Sequence, residues 1–424
     1  MRKALFLTRH FPPYVTSGAS RAWKFALNMP IIGWEAVVVS QPAVAGLDEG
    51  SGSSLPMPTL FRTGPDVDLS KLGQEERRDY LSGREVPSLR SFASRMTGIF
   101  SDDPEGAEWE RGARKEAERL LAEHGDIEIL YAQGPPLQPL RLALDIARQR
   151  SLTVILDIAS PLDPAMPPPG TSKPSAAAKA EEEIMMSGVP MIVPSRAMKE
   201  YFLKKYQGRL SNGSMTIVPN GFDDTNRLPA ALKQGQLPSA MRMAFWIGEM
   251  EKRELKAFIA GLEAFCRSCG IAATGAQLLF IGEGTDALAR RMARSPILPI
   301  ILFDPGNGLA AELDLCRKAD FFCSVQGSSP ADECLVPDRL LDAMGMRRPI
   351  CCVAPQGVAE KLVLDAGGIT APPGDEARIS EMLATMTGMQ QSRTLRAAPE
   401  EVLKKNSIAA SLREMADAIR VQYV

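Results

Sequence analysis

The segment between residues 10 and 20, HFPPYVTSGAS, contains the residue types best suited to bind an anion. Two prolines hold the chain extended after a short apolar run, and Gly18 permits a turn with positive φ. Ser17 or Ser20 can then cap a following helix, whose free N–H groups and dipole attract negative charge. Ser17, Gly18 and Ala19 are therefore candidate contacts for a diphosphate. Taken alone, the segment fits an ordinary strand-to-helix turn better, since it has neither the Walker A ending GK[ST] nor the pattern GxGxxG.

A strand before this segment and a helix after it must position these residues, and the first half of the chain repeats that pattern. Short runs rich in Val, Ile and Leu predict strands buried on both faces at 4–8, 36–40, 127–132, 153–159, 190–195 and 215–221. Helical patterns separate several of these runs, at 19–29, 106–124, 138–150 and 195–206. The alternation predicts a parallel sheet covered by helices.

The same alternation begins again in the second half of the chain. Strands are predicted at 241–248, 276–284, 299–306, 320–327, 348–353 and 367–373, with helices at 252–268, 308–318, 335–346 and 355–366. The polar, proline-containing segment 223–240 predicts a linker. We therefore expect one domain over 1–222 and a second over 241–406, facing each other across a cleft. Ligands of such sheets bind outside the carboxyl ends of the strands.

Two segments lack this periodicity. Residues 41–110 and 160–178 are rich in Gly, Ser and Pro, which predicts long loops with short helices near the mouth of the cleft. Within the first, residues 88–100 place apolar side chains on one helical face with two arginines beside it. This face could pack on the protein's own core or lie on a membrane surface.

Composition narrows the function classes. The 424 residues carry a net charge of -2 with a pI near 6.0, and no Lys/Arg run resembles a nucleic-acid-binding arm, which disfavours a nucleic-acid-binding protein. Seven cysteines and two histidines lack metal-ligand spacing, and no Asp-x-Asp stands at a strand end, so no bound metal is expected. No run approaches the roughly 20 apolar residues of a membrane helix. We expect a cytoplasmic protein that could lie against the inner face of a membrane.

Four segments resemble, in the same order along the chain, the recurring segments of family 4-like glycosyltransferases of the GT-B fold. They contain LFLTRHFPPYVTSGAS, ILYAQGPP, TIVPNGFD and VPDRLLDAMGMRRPI, and the last is the most specific. The resemblance covers most of the chain. It implies two Rossmann-like doubly wound domains, the first binding an acceptor and the second a UDP- or GDP-sugar. It further implies sugar transfer with retention to a saccharide, lipid-linked or protein acceptor, with no bound cofactor.

The resemblance also assigns residues. Arg253 and Glu333 are the candidate catalytic residues, and Arg253 would neutralise the leaving diphosphate. Asp342 would accept hydrogen bonds from ribose hydroxyls. The other implied substrate contacts are Gln133, Gly248, Lys252, Gly306, Val336, Pro337 and Arg339. Since the last helix of this fold often crosses back, residues 407–424 are expected to pack on the first domain.

Several positions depart from the family pattern. The residue eight places after Glu333 is Leu341, so Asp342 misses the E-x7-E spacing by one. Glu249 stands where a basic residue is usual, Ala159-Ser160 stand where a charged pair is usual, and Gln133 stands where many members have a cleft histidine. These losses leave open a catalytically silent GT-B homologue that serves as a scaffold or partner subunit in glycan assembly. A sugar-nucleotide epimerase of the same architecture is disfavoured because its acid/base carboxylate cluster is absent.

Overall fold

The chain forms two compact units, each with its own sheet. The computed structural model describes residues 2–42, 57–64, 73, 76–77, 80, 104–150, 152–162, 176–224, 241–282, 284–303 and 308–420. Unit 1 comprises Met1–Asn220 and Ile408–Val424, and unit 2 comprises Gly221–Ser407. Three predicted features lie outside the described residues, namely Gly306, the helical face at 88–100 and the linker beyond residue 224.

Unit 1 is built on a seven-stranded sheet in which every pairing is parallel. Its strands are β1 (Arg2–Leu7), β2 (Trp34–Ser40), β3 (Thr59–Arg62), β4 (Ile127–Gly134), β5 (Thr153–Ile158), β6 (Met191–Val193) and β7 (Met215–Ile217). They lie in the order β3-β2-β1-β4-β5-β6-β7. Its helices are α1 (Ser17–Asn28), α2 (Pro104–Glu123), α3 (Leu137–Gln149), α4 (Ala176–Met185) and α5 (Arg196–Lys205).

Elements of unit 1 also form in the segments predicted as long loops with short helices. The edge strand β3 falls within 41–110, and helix α4 begins within 160–178. Strand β3 is only partly buried and contains two polar residues among four, so it lacks the apolar run that marks the other strands. Parallel pairing with β2, from Val37↔Thr59 onward, holds it in place. The loop prediction is wrong at β3, because pairing with β2 and not local pattern determines it, whereas the short helix α4 agrees with the short helices expected in these segments.

Unit 2 is built on a six-stranded parallel sheet. Its strands are β8 (Arg242–Ile247), β9 (Gln277–Ile281), β10 (Ile301–Phe303), β11 (Phe321–Val325), β12 (Ile350–Val353) and β13 (Ile369–Ala371). They lie in the order β10-β9-β8-β11-β12-β13. Its helices are α6 (Lys252–Ser268), α7 (Thr285–Met292), α8 (Leu309–Lys318), α9 (Pro330–Cys334), α10 (Asp338–Gly345), α11 (Val358–Asp365), α12 (Glu376–Gln391) and α13 (Glu400–Lys405). The predicted fold class, two Rossmann-like doubly wound parallel-sheet domains, is confirmed.

The last helix, α14 (Ile408–Arg420), belongs to unit 1 and packs against α1. In unit 2 the segment around Phe222 runs beside the segment around Asn406 and Ser407. The Phe222 N–H donates to the Asn406 carbonyl at 3.1 Å, and Phe222 forms an isolated parallel bridge with Ser407. A Cβ placed on Gly345 would lie 2.3 Å from the Phe222 ring, so only glycine leaves room for that ring.

Candidate functional site

In unit 1 the strand order reverses between β1 and β4, which is where doubly wound sheets bind ligands. Gln133, near the end of β4, is 2% exposed. The Thr8 hydroxyl lies 3.2 Å from Gln133 Oε1 and 2.9 Å from the His10 carbonyl oxygen. Because a hydroxyl donates only one hydrogen, either orientation of the amide leaves one of its polar atoms without a partner among the described residues. This buried amide therefore keeps an unused hydrogen-bonding group.

The first turn of α1 lies beside that amide. A Cβ placed on Gly18 would lie 3.4 Å from Gln133 Oε1, so the fold brings these two predicted residues together. The cap is Thr16, whose Oγ1 accepts from the Ala19 N–H at 3.0 Å. The expected cap at Ser17 or Ser20 is wrong, and so is the positive φ expected at Gly18. The Ala19 N–H is engaged by the cap, and the binding roles of Ser17, Gly18 and Ala19 stay predictions.

A buried ion pair lies below this turn. Arg21 Nε donates to Asp157 Oδ2 at 2.7 Å, and the two side chains are 1% and 0% exposed. Arg21 also donates to the Val218 carbonyl at 2.9 Å and to Asn220 Oδ1 at 2.5 Å. The Tyr131 hydroxyl donates to the same Asp157 oxygen, and burial together with the Asp157 charge raises the pKa of Tyr131. The network ties α1, β4 and β5 to the VPNG segment.

In unit 2 the strand order reverses between β8 and β11. The Gly248 N–H donates to the Val325 carbonyl at 2.8 Å, which joins the ends of these strands. Glu254, in the first turn of α6, is 8% exposed, and its carboxylate accepts hydrogen bonds from the Ser328 hydroxyl and, at 3.2 Å, from the Glu251 N–H. A buried carboxylate thus holds the loop that follows β11.

A second carboxylate faces the same loop. A Cβ placed on Gly327 would lie 3.1 Å from Glu254 Oε2 and 3.3 Å from Asp332 Oδ2. Ser329 donates to Asp332 Oδ2 from its N–H at 3.0 Å and from its hydroxyl at 2.6 Å. Burial raises the pKa of Asp332, and the Glu254 charge raises it further against those hydrogen bonds. The reversal point of unit 2 is therefore acidic.

The predicted cations of unit 2 lie at its surface. Lys252 and Arg253 are exposed on the first turn of α6, and neither forms an ion pair with a described residue. Glu333 is exposed in the short helix α9. Val336 is partly buried and Pro337 is buried, immediately before α10. No contact in unit 2 tests the roles assigned to these residues, which stay predictions.

Arg339 and Asp342 are buried together. Arg339 Nη1 lies 2.9 Å from Asp342 Oδ2, and Arg339 Nε lies 3.5 Å from Glu312 Oε2, with all three side chains 3–4% exposed. Burial lowers the pKa of Arg339, but Asp342 and Glu312 raise it more, so the guanidinium stays charged. The pairing holds α10 against α8. Contacts of Arg339 or Asp342 with a substrate stay predictions.

Among the described residues, no helix combines the length and apolar character needed to cross a bilayer. The same part of the chain holds no group of three or more His, Cys, Asp or Glu side chains arranged to bind a metal ion. An open surface concavity of unit 2 lies between α6 and α12, and it is lined mainly by small and acidic residues. None of the predicted site residues lines it.

Sequence reasoning did not identify several charged residues that the fold brings together. Asp157 carries a signal, because a carboxylate inside the apolar strand VILDI needs a buried partner. Its partner Arg21 lies 136 residues away and has no local signal. Glu254 and Asp332 look like ordinary first-turn helix acids, and Glu312 looks like a surface residue. Their meeting points depend on which strands become neighbours.

The whole chain aligns with solved structures of glycosyltransferases. Sucrose-phosphate synthase from Thermosynechococcus elongatus superposes with a TM-score of 0.64 at 14% identity, covering 100% of this chain and 99% of that one. Anabaena Alr3699/HepE in complex with UDP-glucose gives 0.61 at 13%, covering 99% and 100%. The α,α-trehalose 6-phosphate synthase from Burkholderia multivorans gives 0.59 at 12%, covering 100% and 99%. These similarities show that the chain has the GT-B fold.

No protein-family model matches the sequence, and no curated protein matches it either. The similarity is therefore found in the three-dimensional arrangement of strands and helices. At sequence identities of 12–14%, it shows the fold alone.

Proposed function

We propose that the protein is a glycosyltransferase that moves a sugar, with retention, from a UDP- or GDP-sugar to a saccharide, lipid-linked or protein acceptor. The observation that carries the proposal is the two-unit fold, which matches nucleotide-sugar enzymes over their full length, one of them solved with UDP-glucose. Each unit has one reversal of strand order where a ligand can bind. The protein would act in the cytoplasm, and a lipid-linked acceptor would bring it to the inner face of the membrane.

In this proposal unit 2 binds the donor. Lys252 and Arg253 are exposed cations on the turn that follows the Gly248 loop, and Arg253 neutralises charge that develops on the departing diphosphate. The departing phosphate itself takes the proton of the acceptor hydroxyl, so no nucleophilic side chain is required. The protein then lowers the barrier by positioning the two reactants and by supplying charge. Glu333 is placed beside the transferred sugar, and Asp342 beside the ribose.

Unit 1 binds the acceptor in the same proposal. The buried Gln133 amide lies next to Gly18 through its Oε1, and its Nε2 has no partner among the described residues. An acceptor hydroxyl can satisfy either an amide N–H or an amide oxygen. The charge of the nearby Asp157 is matched by Arg21 at 2.7 Å. A neutral, hydrogen-bonding site of this kind suits a sugar.

A catalytically silent homologue is the second candidate. The acidic pair Glu254 and Asp332 at the reversal point of unit 2 opposes a diphosphate, and Arg339 is committed to a buried ion pair. A scaffold subunit would keep the fold without keeping the charge pattern of a donor site.

Binding of UDP, GDP, UDP-glucose and GDP-mannose, measured by thermal shift and calorimetry, tests the proposal. Saturating ligand at 100 times its Kd should add about 2.7 kcal/mol to the folded state. Arg253→Ala should weaken binding about 10-fold, which is about 1.4 kcal/mol. Lys256→Ala, which removes an exposed cation one turn further along α6, is the matched control and should bind like the wild type. If none of the four ligands binds, the glycosyltransferase proposal is contradicted and the silent scaffold is favoured.

A further inference from the structure

We propose that Glu254 and Asp332 form a charge barrier at the reversal point of unit 2, so that binding of a nucleoside diphosphate sugar there is coupled to uptake of protons and weakens as the pH rises. The inference rests on the proposed function, because it concerns the site assigned to the donor. It names the two side chains that regulate occupancy of that site.

The positions of the two carboxylates support the proposed charge barrier. Glu254 comes from the helix after β8, and Asp332 comes from the short helix after β11, so one carboxylate stands on each side of the strand-order reversal. Both approach the same backbone point, since a Cβ on Gly327 would contact Glu254 Oε2 at 3.1 Å and Asp332 Oδ2 at 3.3 Å. A diphosphate that reaches the ends of β8 and β11 must come close to both carboxylates.

The barrier is not neutralised from inside unit 2. Glu254 accepts hydrogen bonds from the Ser328 hydroxyl and the Glu251 N–H, and Asp332 accepts them from Ser329, all uncharged donors. No described cation forms an ion pair with either carboxylate. The uncharged Gln326 amide, just after β11, contacts the backbone of this loop, with its Nε2 3.5 Å from the Asp332 carbonyl oxygen.

The other described charged groups around the loop lie on the segment after β8, on α6, on α9 and on α11, which packs against α9 and carries Glu360, Lys361 and Asp365. Glu249 follows β8, and its carbonyl oxygen would lie 3.1 Å from a Cβ on Gly327. Glu251, Lys252 and Arg253 are exposed on the first turn of α6. Glu333 is exposed next to Asp332 in α9. Among the described residues of the segment after β8, the first turn of α6 and α9, five carboxylates, Glu254 and Asp332 included, stand against two cations.

The sign of the pH dependence follows from this arrangement. Burial and the charge of Glu254 already raise the pKa of Asp332, and the negative charge of a bound diphosphate raises it further. The complex therefore holds more protons than the free protein, so affinity should increase as the pH falls and decrease as the pH rises. Removing one carboxylate should tighten binding at neutral pH and flatten the profile.

Calorimetric titration of the full chain with UDP-glucose and GDP-mannose at pH 5.5, 6.5 and 7.5 tests this. The diphosphate of a nucleotide-sugar keeps its charge over this range, and EDTA in every buffer prevents a divalent cation from screening the carboxylates. For the wild type, affinity for the bound donor should fall at least 5-fold from pH 5.5 to 7.5. Titration in two buffers of different ionisation enthalpy should show net proton uptake.

Glu254→Gln should bind about 10-fold more tightly than the wild type at pH 7.5, with a flatter profile, and Asp332→Asn should act in the same direction. Glu263→Gln is the matched control: it removes a charge from the same helix, and Glu263 also accepts a serine hydroxyl, from Ser295 at 2.5 Å. Its binding should equal that of the wild type.

The outcomes separate the two proposals. Donor binding that is flat with pH in the wild type, or unchanged by Glu254→Gln, overturns the charge barrier and leaves the proposed function standing. If neither the wild type nor a folded Glu254→Gln/Asp332→Asn double variant binds any nucleotide-sugar at any pH, the donor site itself is refuted. The pH profile of the wild type keeps the test valid even where a variant fails to fold.

Discussion

The ends of β1 and β4 in unit 1 and the ends of β8 and β11 in unit 2 occupy equivalent places in two sheets with the same order of their central strands. Their side chains differ in kind. Unit 1 presents a neutral, buried amide at Gln133, while unit 2 presents the carboxylates of Glu254 and Asp332. The strand order determines where a ligand can bind, and the side chains at that place determine which charge it can carry.

The two units also differ in how they use a buried arginine. Arg21 lies under the reversal point of unit 1 and reaches Val218 and Asn220, so its pair with Asp157 also anchors the segment at the end of the unit. Arg339 pairs with Asp342 and Glu312 on α10 and α8. The Arg21–Asp157 pair lies under the candidate site of unit 1. The Arg339–Asp342 pair instead joins two residues that the sequence predicts to bind a substrate.

The largest effect is expected for Arg21→Ala. Removing one partner of a buried ion pair leaves Asp157 uncompensated and should lower the free energy of unfolding by about 3–5 kcal/mol. Urea unfolding followed by tryptophan fluorescence measures it. The control is Arg114→Ala, because Arg114 pairs with Asp145 at 2.8 Å with both side chains about one third exposed, and it should cost below about 1 kcal/mol. Equal costs would show that the buried network adds nothing to the stability of unit 1.

Replacing a glycine by alanine should cost less stability than Arg21→Ala, and it should cost more at Gly284 in unit 2 than at Gly18 in unit 1. A Cβ on Gly284 would lie 2.2 Å from the Gly248 carbonyl oxygen, so Gly284→Ala should cost about 1–3 kcal/mol through overpacking. Gly18→Ala makes only ordinary contacts, 3.4 Å from Gln133, and should change stability by less than about 0.5 kcal/mol. Thermal unfolding of both variants measures the difference. A costly Gly18→Ala would contradict the open first turn of α1.

Gln133→Leu should leave stability within about 1 kcal/mol of the wild type, because the buried amide already has one unsatisfied polar atom. If this amide binds the acceptor, kcat/KM for transfer should fall about 10-fold while donor affinity stays unchanged, since the donor is assigned to unit 2. Steady-state transfer assays and donor titration provide the two readouts. Weaker donor binding would instead place Gln133 in the donor site.

The smallest effect concerns Asp332→Asn. The pKa of Asp332 is raised in the folded protein, so the charged form disfavours folding as the pH rises above the unfolded pKa. The variant cannot ionise at this position, and its stability relative to the wild type should increase from pH 4 to pH 7, by less than about 1 kcal/mol at this partly exposed site. Urea unfolding at four pH values measures the trend, and a constant difference would contradict the unfavourable charge.

The buried strands could be predicted because a strand covered on both faces needs a continuous run of apolar residues. Twelve such runs were expected, and all twelve coincide with strands of the two sheets. The edge strand Thr59–Arg62 could not be found in this way, because its partly exposed positions tolerate polar residues. Gln133 and Gly18 were each predicted as site residues, but neither their adjacency nor the capping role of Thr16 was predicted.

The sequence by itself determined the alternation of strands and helices, the division into two halves and the candidate residues at strand ends, since burial and helix capping act over a few neighbouring positions. Only the tertiary structure decided which charges meet. Arg21 finds Asp157 across 136 positions, and Glu254 reaches Ser328 across 74, because parallel strands bring distant segments to the same end of a sheet. Ion pairing and desolvation depend on those distances, which no local pattern encodes.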